Sequence, residues 1–330
     1  MFKKIALRIV LLAGILLLSN VIYKQTTYSD DLESDANILT KFEKAQENAD
    51  ILYFSSSPNA TFADGVDQDT RSISNMVDDS ISEYKIMSVD TGAIHAGVFK
   101  KLIQLIPDNS KTKKIIIHLN YRSLGIGWIQ SSLENAILKE FPFYSNRPVI
   151  VSRFLQGLNT YEAVAPAERK RLMLNYWATQ PLPFDPPKNT VENWCAVEKW
   201  GDWTNPKRQL ADHYIKNYAF SIQEDNPRLQ DYDAIVELCE AKNIDLIYVI
   251  LPENVEEAEM LVDPDLVDLM KSNRDLIKKR YESKGVEVID CFDLLPDEDF
   301  LERNFPSEHY FEHGRKAIAS KIIERLNKIN

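Results

Sequence analysis

Cysteine and glycine are scarce in this sequence. It has 330 residues, of which three are cysteines and ten are glycines. Cys195, Cys239 and Cys291 are widely spaced and form no C-x-x-C pair, so neither a disulfide framework nor a structural zinc site is predicted. At most one disulfide could form among them.

The sequence also lacks the short motifs that identify common cofactor sites. It contains no H-E-x-x-H, G-x-x-x-x-G-K or G-x-G-x-x-G pattern, and the G-x-S-x-G elbow of the α/β-hydrolases is absent too. No metal and no cofactor are therefore predicted. Lys and Arg number 39 against 50 Asp and Glu, a net charge of −11. This balance argues against a nucleic-acid partner, because phosphate binding requires clustered Lys and Arg.

The first residues differ in composition from the rest of the chain. Residues 5–23 are almost wholly apolar and follow a short basic start, which predicts a signal peptide or an uncleaved signal-anchor within residues 1–24. An anchor is favoured, because no Ala-x-Ala-like cleavage site follows the apolar run and no cysteine follows it for a lipoprotein signal. Residues 25–48 are polar and are predicted to form a stalk, with a short helix at Ile38 to Gln46.

Charges on the two sides of this apolar run predict its orientation in a membrane. Basic residues precede the run and acidic residues follow it, which places the main domain outside the cytoplasm, in the periplasm or at the cell surface. Secretion after signal cleavage is the alternative. The residues concerned are Lys3, Lys4 and Arg8 before the run, and Asp30, Asp31 and Glu33 after it.

The remainder of the chain alternates between strand-like and helix-like segments. This order is typical of a parallel sheet with crossover helices, and it predicts a three-layer α/β/α, flavodoxin-like domain over residues 49–330. A helical insertion rich in Trp, Tyr and Pro interrupts it at about residues 125–227. The predicted strands are Ile51 to Phe54, Tyr84 to Val89, Ile115 to Leu119, Ile244 to Leu251 and Val286 to Ile289.

Polar or small residues follow the first three predicted strands. Ser57 comes after the first, Gly92 after the second and Asn120 after the third. Since the carboxyl ends of parallel strands meet at one edge of a sheet, these residues are expected to lie close together. His309 lies in a loop just before the last predicted helix, where it could reach the same edge. Ser57 is thus a candidate nucleophile; the alternative is that it only caps the segment that follows.

These four positions resemble those of the SGNH (GDSL-like) hydrolase family. That family has a Ser after its first strand, a Gly after the second, an Asn after the third and a catalytic His in a D-x-x-H block before the last helix. Ser57, Gly92, Asn120 and His309 are the matching residues here. The closest resemblance is to membrane-anchored members that handle acyl groups on cell-envelope polymers.

The resemblance implies an SGNH-type fold and acyl-transfer chemistry. Ser57 would be the nucleophile and His309 the base, with Gly92 and Asn120 in the oxyanion hole. The implied function is that of a serine-dependent esterase or O-acyltransferase, with an acylated glycan or envelope polymer as substrate. The alternative is a non-catalytic SGNH-like protein that binds glycan or acts as a scaffold in the envelope.

The sequence departs from the family pattern where the catalytic acid is expected. Pro306 stands three residues before His309, in the place of the Asp. Glu308 is the tentative acid; Asp290 or Asp293 could replace it, or the enzyme could use a Ser-His dyad. His95 and Arg122 are tentative substrate-binding residues, although a structural histidine and an ordinary salt bridge are the commoner roles.

Overall fold

The computed structural model of the protein describes residues 2–35, 37–135, 140–144, 147–159 and 164–329. Five short strands lie close to the segments in which apolar runs predict them. They are β1 (Ile51–Ser55), β2 (Ile86–Asp90), β3 (Lys114–Leu119), β4 (Asp245–Ile250) and β5 (Glu287–Asp290).

Helices connect and cover these strands. In chain order they are α1 (Phe2–Thr26), α2 (Tyr28–Asp35), α3 (Asn37–Asn48), α4 (Ile73–Ser80), α5 (Ala96–Gln104), α6 (Ile126–Ile129), α7 (Val149–Asn159), α8 (Pro166–Thr179), α9 (Val191–Cys195), α10 (Pro206–Tyr218), α11 (Pro227–Ala241), α12 (Val255–Leu261), α13 (Pro264–Glu282) and α14 (Glu312–Ile329). Short 3-10 turns occur at Ser57–Asn59, Tyr121–Leu124, Ser132–Asn135, Phe141–Tyr144 and Asp297–Asp299.

All strand pairs in the sheet are parallel, in the order β2-β1-β3-β4-β5. This is the flavodoxin-like order, in which the chain reverses direction across the sheet between β1 and β3. Ligands of such sheets bind outside the carboxyl ends of the strands at that reversal. The predicted fold class is therefore confirmed, and the topology singles out the ends of β1 and β3 as the place for a site.

Helices pack on both faces of the sheet, which explains why β1 is buried along its whole length. Alternate side chains of a strand point to opposite faces. Leu52 and Phe54 belong to the core cluster that includes α3, α5, α11 and α13, whereas Ile51 and Tyr53 belong to the cluster with α4 and α14. The result is a three-layer α/β/α domain.

The short helix predicted at Ile38 to Gln46 is present, but the prediction that residues 37–48 belong to a stalk is wrong. These residues form α3, whose apolar side chains are buried in the domain core. Lys41 of α3 also donates from Nζ to the backbone oxygen of Asp90 at 2.8 Å, at the end of β2. The folded domain therefore begins at α3, not at residue 49. The buried residues are Ile38, Leu39, Phe42 and Ala45.

A single substitution in α3 tests this boundary. Phe42 is 2 % exposed and its ring stacks on that of Phe54 in β1, with centroids 6.3 Å apart. We expect Phe42→Ala to lower the free energy of unfolding by about 3–5 kcal/mol, the usual result of emptying a buried phenylalanine site. Denaturant unfolding measures the loss. Lys44→Ala, on the exposed side of the same helix, is the matched control. Equal stability of the two variants would mean that α3 is not part of the core.

The predicted helical insertion is present between β3 and α11, where the described residues include α6 to α10. Helix α10 is its main link to the α/β domain. Tyr214 and Tyr218 of α10 are buried and donate to the carboxylates of Glu257 and Glu253, each at 2.7 Å. Both carboxylates lie just beyond the carboxyl end of β4. The insertion is thus attached at the same edge of the sheet as the predicted site.

Helix α1 is long and apolar enough to cross a membrane, and signal sequences share these properties. Most of its side chains are exposed, but Asn20 and Tyr23 near its end are buried. The ring of Tyr23 lies 5.9 Å from that of Tyr28, and the Arg153 guanidinium of α7 lies 5.7 Å from the Tyr23 ring. The end of α1 therefore packs on α2 and on the insertion.

Candidate active site

Ser57 begins the turn that follows β1. Pro58 is the next residue and fixes the backbone there, and Asn59 holds the turn to the neighbouring strand. The Asn59 side chain donates from Nδ2 to Asp90 Oδ2 at 2.7 Å and accepts from the Ser74 backbone N–H at 2.9 Å. Because Asn59 is fully buried, these bonds fix the position of Ser57 at the carboxyl edge of the sheet.

His309 lies in the loop that leads from β5 into α14, and its ring reaches Ser57. The distance from His309 Nε2 to Ser57 Oγ is 2.9 Å, a hydrogen bond between residues 252 positions apart. The structure therefore brings together the two residues that the sequence indicated as nucleophile and base. A serine and a histidine in this contact can transfer the hydroxyl proton to the imidazole.

The other ring nitrogen of His309 contacts a carboxylate that sequence reasoning did not identify. Glu302 Oε1 lies 2.7 Å from His309 Nδ1, and the second oxygen of Glu302 accepts a hydrogen bond from Ser307 Oγ. Burial opposes ionisation, but the bonds from Ser307 and His309 hold the pKa of Glu302 below its usual range. The carboxylate is thus suited to orient the ring and to stabilise its protonated form.

A short antiparallel contact explains how residue 302 meets residue 309. The Leu301 N–H donates to the His309 carbonyl at 3.0 Å, and Phe300 and Tyr310 form an antiparallel bridge. The chain between them folds back as a hairpin loop, residues 302–308. This backbone pairing places Glu302 beside His309. The spacing of residues in the sequence does not predict that contact.

Glu308, the tentative acid, has a different partner. Arg122 donates to both of its carboxylate oxygens, from Nε at 3.0 Å and from Nη2 at 2.8 Å. Both side chains are buried, with exposed fractions of 11 % for Arg122 and 2 % for Glu308. Arg122 also donates to the Pro306 carbonyl at 2.8 Å. The carboxylate of Glu308 is thus bound by Arg122, and the carboxylate in contact with His309 is that of Glu302.

Arg122, expected as a substrate-binding residue, is instead used to hold the hairpin loop. Within the described part of the chain its hydrogen bonds go to Glu308 and Pro306, and its guanidinium lies 5.3 Å from the ring of Phe305. Glu253 is buried close by and accepts from Tyr218. Burial and the charge of Glu308 raise the pKa of Glu253 well above its usual range. Arg122 is thus the cation that compensates the buried acidic residues Glu253 and Glu308.

Removing this cation is expected to destabilise the protein strongly. Arg122→Met would leave the Glu308 carboxylate buried without its partner, and we expect the free energy of unfolding to fall by about 3–5 kcal/mol. Denaturant unfolding measures this. The double variant Arg122→Met/Glu308→Gln removes both charges, so it should recover much of the loss. A loss below about 1 kcal/mol for Arg122→Met would contradict a supporting role for the pair.

Gly92 and Asn120 follow the ends of β2 and β3, the two strands beside β1. Ser55 pairs with Asp90, and Phe54 pairs with Ile117. Ser57, Gly92 and Asn120 therefore all come just after the carboxyl ends of adjacent strands, at the edge where ligands of such sheets bind.

The side-chain amide of Asn120 and the backbone N–H of Gly92 are the groups at these positions that could donate hydrogen bonds. Asn120 Oδ1 accepts from the Ser123 backbone N–H at 3.0 Å, which leaves the Nδ2 group of the amide to donate elsewhere. A Cβ built at Gly92 would meet no atom within 4 Å, so the space at this turn is open. Ala93 follows with a φ of 58°, a left-handed conformation that is unusual for alanine and that turns the chain sharply there.

His95 does not take part in this arrangement. Its ring caps α5 by accepting from the Gly97 backbone N–H at 3.2 Å, and it also contacts Arg228 and the carbonyl of Glu134. Burial and the nearby Arg228 cation lower the pKa of His95 to about 4. These partners are structural, so His95 caps α5, which is the commoner role for such a histidine.

Comparison with known proteins gives no family model and no curated protein that matches this chain. Solved structures match at 8–10 % sequence identity. A GDSL-like lipase from Bacteroides thetaiotaomicron is 8 % identical with a TM-score of 0.41, over 89 % of this chain and 98 % of its own. A lipase/acylhydrolase from Enterococcus faecalis is 8 % identical with a TM-score of 0.38, over 84 % and 95 %.

A member of the lipolytic protein G-D-S-L family from Veillonella parvula is 10 % identical, with a TM-score of 0.38, over 84 % of this chain and 98 % of its own. Similarity of this degree assigns no activity. The strand order, the serine after β1 and the histidine before α14 are the observations that define the architecture. The fold is a three-layer α/β/α domain with a flavodoxin-like parallel sheet.

Proposed function

We propose that this protein is a serine-dependent ester hydrolase or O-acyltransferase of the SGNH hydrolase superfamily. The observation that carries the proposal is the continuous line of contacts from Ser57 Oγ to His309 Nε2 at 2.9 Å, and from His309 Nδ1 to Glu302 at 2.7 Å. A nucleophile, a base and a carboxylate that orients the base are the three parts that acyl transfer requires.

The reaction would proceed in two steps. His309 takes the proton of Ser57 as Oγ bonds to the ester carbonyl carbon, and the carbonyl oxygen becomes an oxyanion. The backbone N–H groups of Ser57 and Gly92 and the Asn120 amide would donate to it; one such donor is worth about 3–4 kcal/mol of the barrier. The alcohol then leaves with the proton from His309. Water, or an acceptor hydroxyl, attacks the acyl-serine and releases the acid or the new ester.

The rival function is binding without turnover, as a glycan-binding or scaffolding protein of the envelope. A binding protein needs no hydrogen bond between a serine and a histidine, nor a carboxylate on the far side of the ring. Those contacts favour the enzyme.

For the substrate, we propose acyl groups on a cell-envelope glycan or polymer, as the resemblance implies. Helix α1 would be an uncleaved anchor that keeps the domain outside the cytoplasm. Supporting this, Asn20 and Tyr23 near the end of α1 are buried, and the Tyr23 ring contacts Tyr28 of α2 and Arg153 of the insertion, contacts that cleavage of a signal would remove.

Covalent labelling tests the nucleophile directly. We expect a fluorophosphonate probe to modify the full-length protein once, at Ser57, with the site located by peptide mass spectrometry. Ser57→Ala should not be labelled, because the only serine in contact with His309 among the described residues is then lost. Ser56→Ala, one position earlier and 5 % exposed, should be labelled like the wild type. Equal labelling of Ser57→Ala and wild type would reject the assignment.

A further inference from the structure

Ser57 and His309 reach each other from opposite ends of the chain. Ser57 follows β1, whereas His309 lies between β5 and α14, and the strands β3 and β4 separate β1 from β5 in the sheet. At the usual spacing of neighbouring strands, β1 and β5 are about 14 Å apart. Strand pairing alone therefore does not set the 2.9 Å distance between Ser57 Oγ and His309 Nε2. Further contacts have to hold the two loops together.

Arg315, in the first turn of α14, binds the backbone of both loops, and its side chain is fully buried. Its Nη1 donates to the carbonyl of Tyr310, the residue after His309, at 3.1 Å, and to the carbonyl of Thr61 at 3.2 Å. Thr61 in turn donates to the carbonyl of Ser57, from its backbone N–H at 3.0 Å and from Oγ1 at 2.8 Å. One guanidinium thus connects the residue after the base to a residue that is bonded to the nucleophile.

Three further hydrogen bonds fix this guanidinium in place. It donates from Nη1 to Asp67 Oδ2 at 2.8 Å, from Nε to the carbonyl of Arg71 at 3.3 Å and from Nη2 to the carbonyl of Asp69. Asp67 also accepts from the backbone N–H of Glu312, the first residue of α14, at 3.0 Å. Burial opposes ionisation of Asp67, but the bonds from Arg315 and from backbone N–H groups hold its pKa below its usual range. The buried Arg315 cation therefore has a carboxylate partner.

We infer that Arg315 is a positioning residue for the proposed reaction: it sets the distance between Ser57 Oγ and His309 Nε2 by holding both loops on one guanidinium. This inference rests on the proposed function for the roles of Ser57 and His309. Arginine suits the task because its planar group presents five donors in fixed directions, whereas lysine has a single flexible ammonium. Proton transfer from Ser57 to His309 requires their hydrogen bond, and a misplacement of about 1 Å can lower a rate about a hundredfold.

The competing account is that Arg315 only stabilises the loop over residues 61–71. Both accounts predict that the protein unfolds more easily when the arginine is replaced, because a buried carboxylate then loses its partner. They differ in what happens to the contact between Ser57 and His309 in the molecules that remain folded. Only the positioning role predicts that this hydrogen bond is weakened.

Kinetics of the full-length protein on 4-nitrophenyl acetate give the first test. We expect Arg315→Lys to lower kcat about a hundredfold with KM little changed, because lysine cannot bond to both loops in the same geometry. Arg325→Lys is the matched control, since Arg325 lies in the same helix and forms a bidentate pair with Glu287, the first residue of β5. It should keep the wild-type kcat. Equal kcat values for the two variants would overturn the inference.

A double variant separates the effect on position from the effect on stability. Arg315→Met/Asp67→Asn removes both buried charges, so it should unfold at a denaturant concentration closer to that of the wild type than Arg315→Met does. The bonds to the carbonyls of Thr61 and Tyr310 stay lost, so kcat should remain about a hundredfold low. Recovery of kcat together with stability would leave Arg315 a structural role only and would overturn the inference.

A spectroscopic measurement separates this inference from the proposed function. In protein with isotope-labelled histidine, the nitrogen magnetic resonance signal of His309 Nε2 reports whether this atom accepts a hydrogen bond, and its absence in His309→Gln assigns it. We expect Ser57→Ala to shift the signal and Arg315→Lys to shift it in the same direction, with no shift in Arg325→Lys. These shifts need no turnover, so they decide the inference even if no ester is hydrolysed and the proposed function fails. A wild-type signal in Ser57→Ala or in Arg315→Lys would overturn the inference.

Discussion

Ser57→Ala is expected to lower kcat for ester hydrolysis by roughly four to six orders of magnitude, the loss seen when a nucleophile that acts as part of a unit is removed. Ser57 Oγ is the atom that would bond to the carbonyl carbon, and among the described residues no other hydroxyl forms a hydrogen bond with His309 Nε2. The folded domain should not change, because the Asn59 and Asp90 side chains fix the turn without the Ser57 hydroxyl.

Initial rates on 4-nitrophenyl acetate, with single-turnover experiments at high protein concentration, would measure a loss of this size. Ser56→Ala is the control for local changes in the turn, and we expect it to keep kcat within a few-fold of wild type. A Ser57→Ala variant that retained a tenth of the wild-type kcat would show that another group performs the attack.

Glu302→Gln should give the second-largest loss, about 10²–10⁴ in kcat. Glutamine keeps the shape of the side chain, but it cannot stabilise the imidazolium that forms on His309, and its amide can donate to Nδ1 and so favour the wrong tautomer. Ser307 should still bond the remaining oxygen, so stability should change little. Steady-state kinetics and denaturant unfolding on the same preparations separate the two effects.

Glu308→Gln provides the contrast. Its carboxylate is bound by Arg122 on the far side of the hairpin loop, so its loss should appear mainly in the free energy of unfolding. If Glu308→Gln lowered kcat more than Glu302→Gln at equal stability, the acid would have to be reassigned to Glu308.

Much of the fold follows from local sequence patterns. The strand over Ile51 to Phe54 is a continuous apolar run because helices cover both faces of β1, and the alternation of strands and helices indicates a parallel sheet. Ser57 and His309 could be found in the same way, because each follows from its position at the end of an element. The contact between them confirms the geometry that those positions imply.

The acid could not be predicted from spacing. Glu302 meets His309 because Leu301 and His309 share a backbone hydrogen bond across the hairpin loop, and Glu308 is removed from the ring by a pair with Arg122, 186 residues away. Neither contact leaves a local pattern. Helix α3 did leave one, because a short helix is predicted at Ile38 to Gln46, but the polar residues of this segment did not indicate that Ile38, Phe42 and Ala45 are buried in the core.

The central claim is that Ser57, His309 and Glu302 act as one unit, and a double-mutant cycle on kcat tests it most directly. We predict that Ser57→Ala/Glu302→Gln is no slower than Ser57→Ala alone, to within about threefold, because Glu302 acts only through the histidine that activates Ser57. If the two losses multiplied instead, kcat of the double variant would lie below that of Ser57→Ala by the full factor that Glu302→Gln alone causes. That result would contradict the claim that the three residues act as one unit.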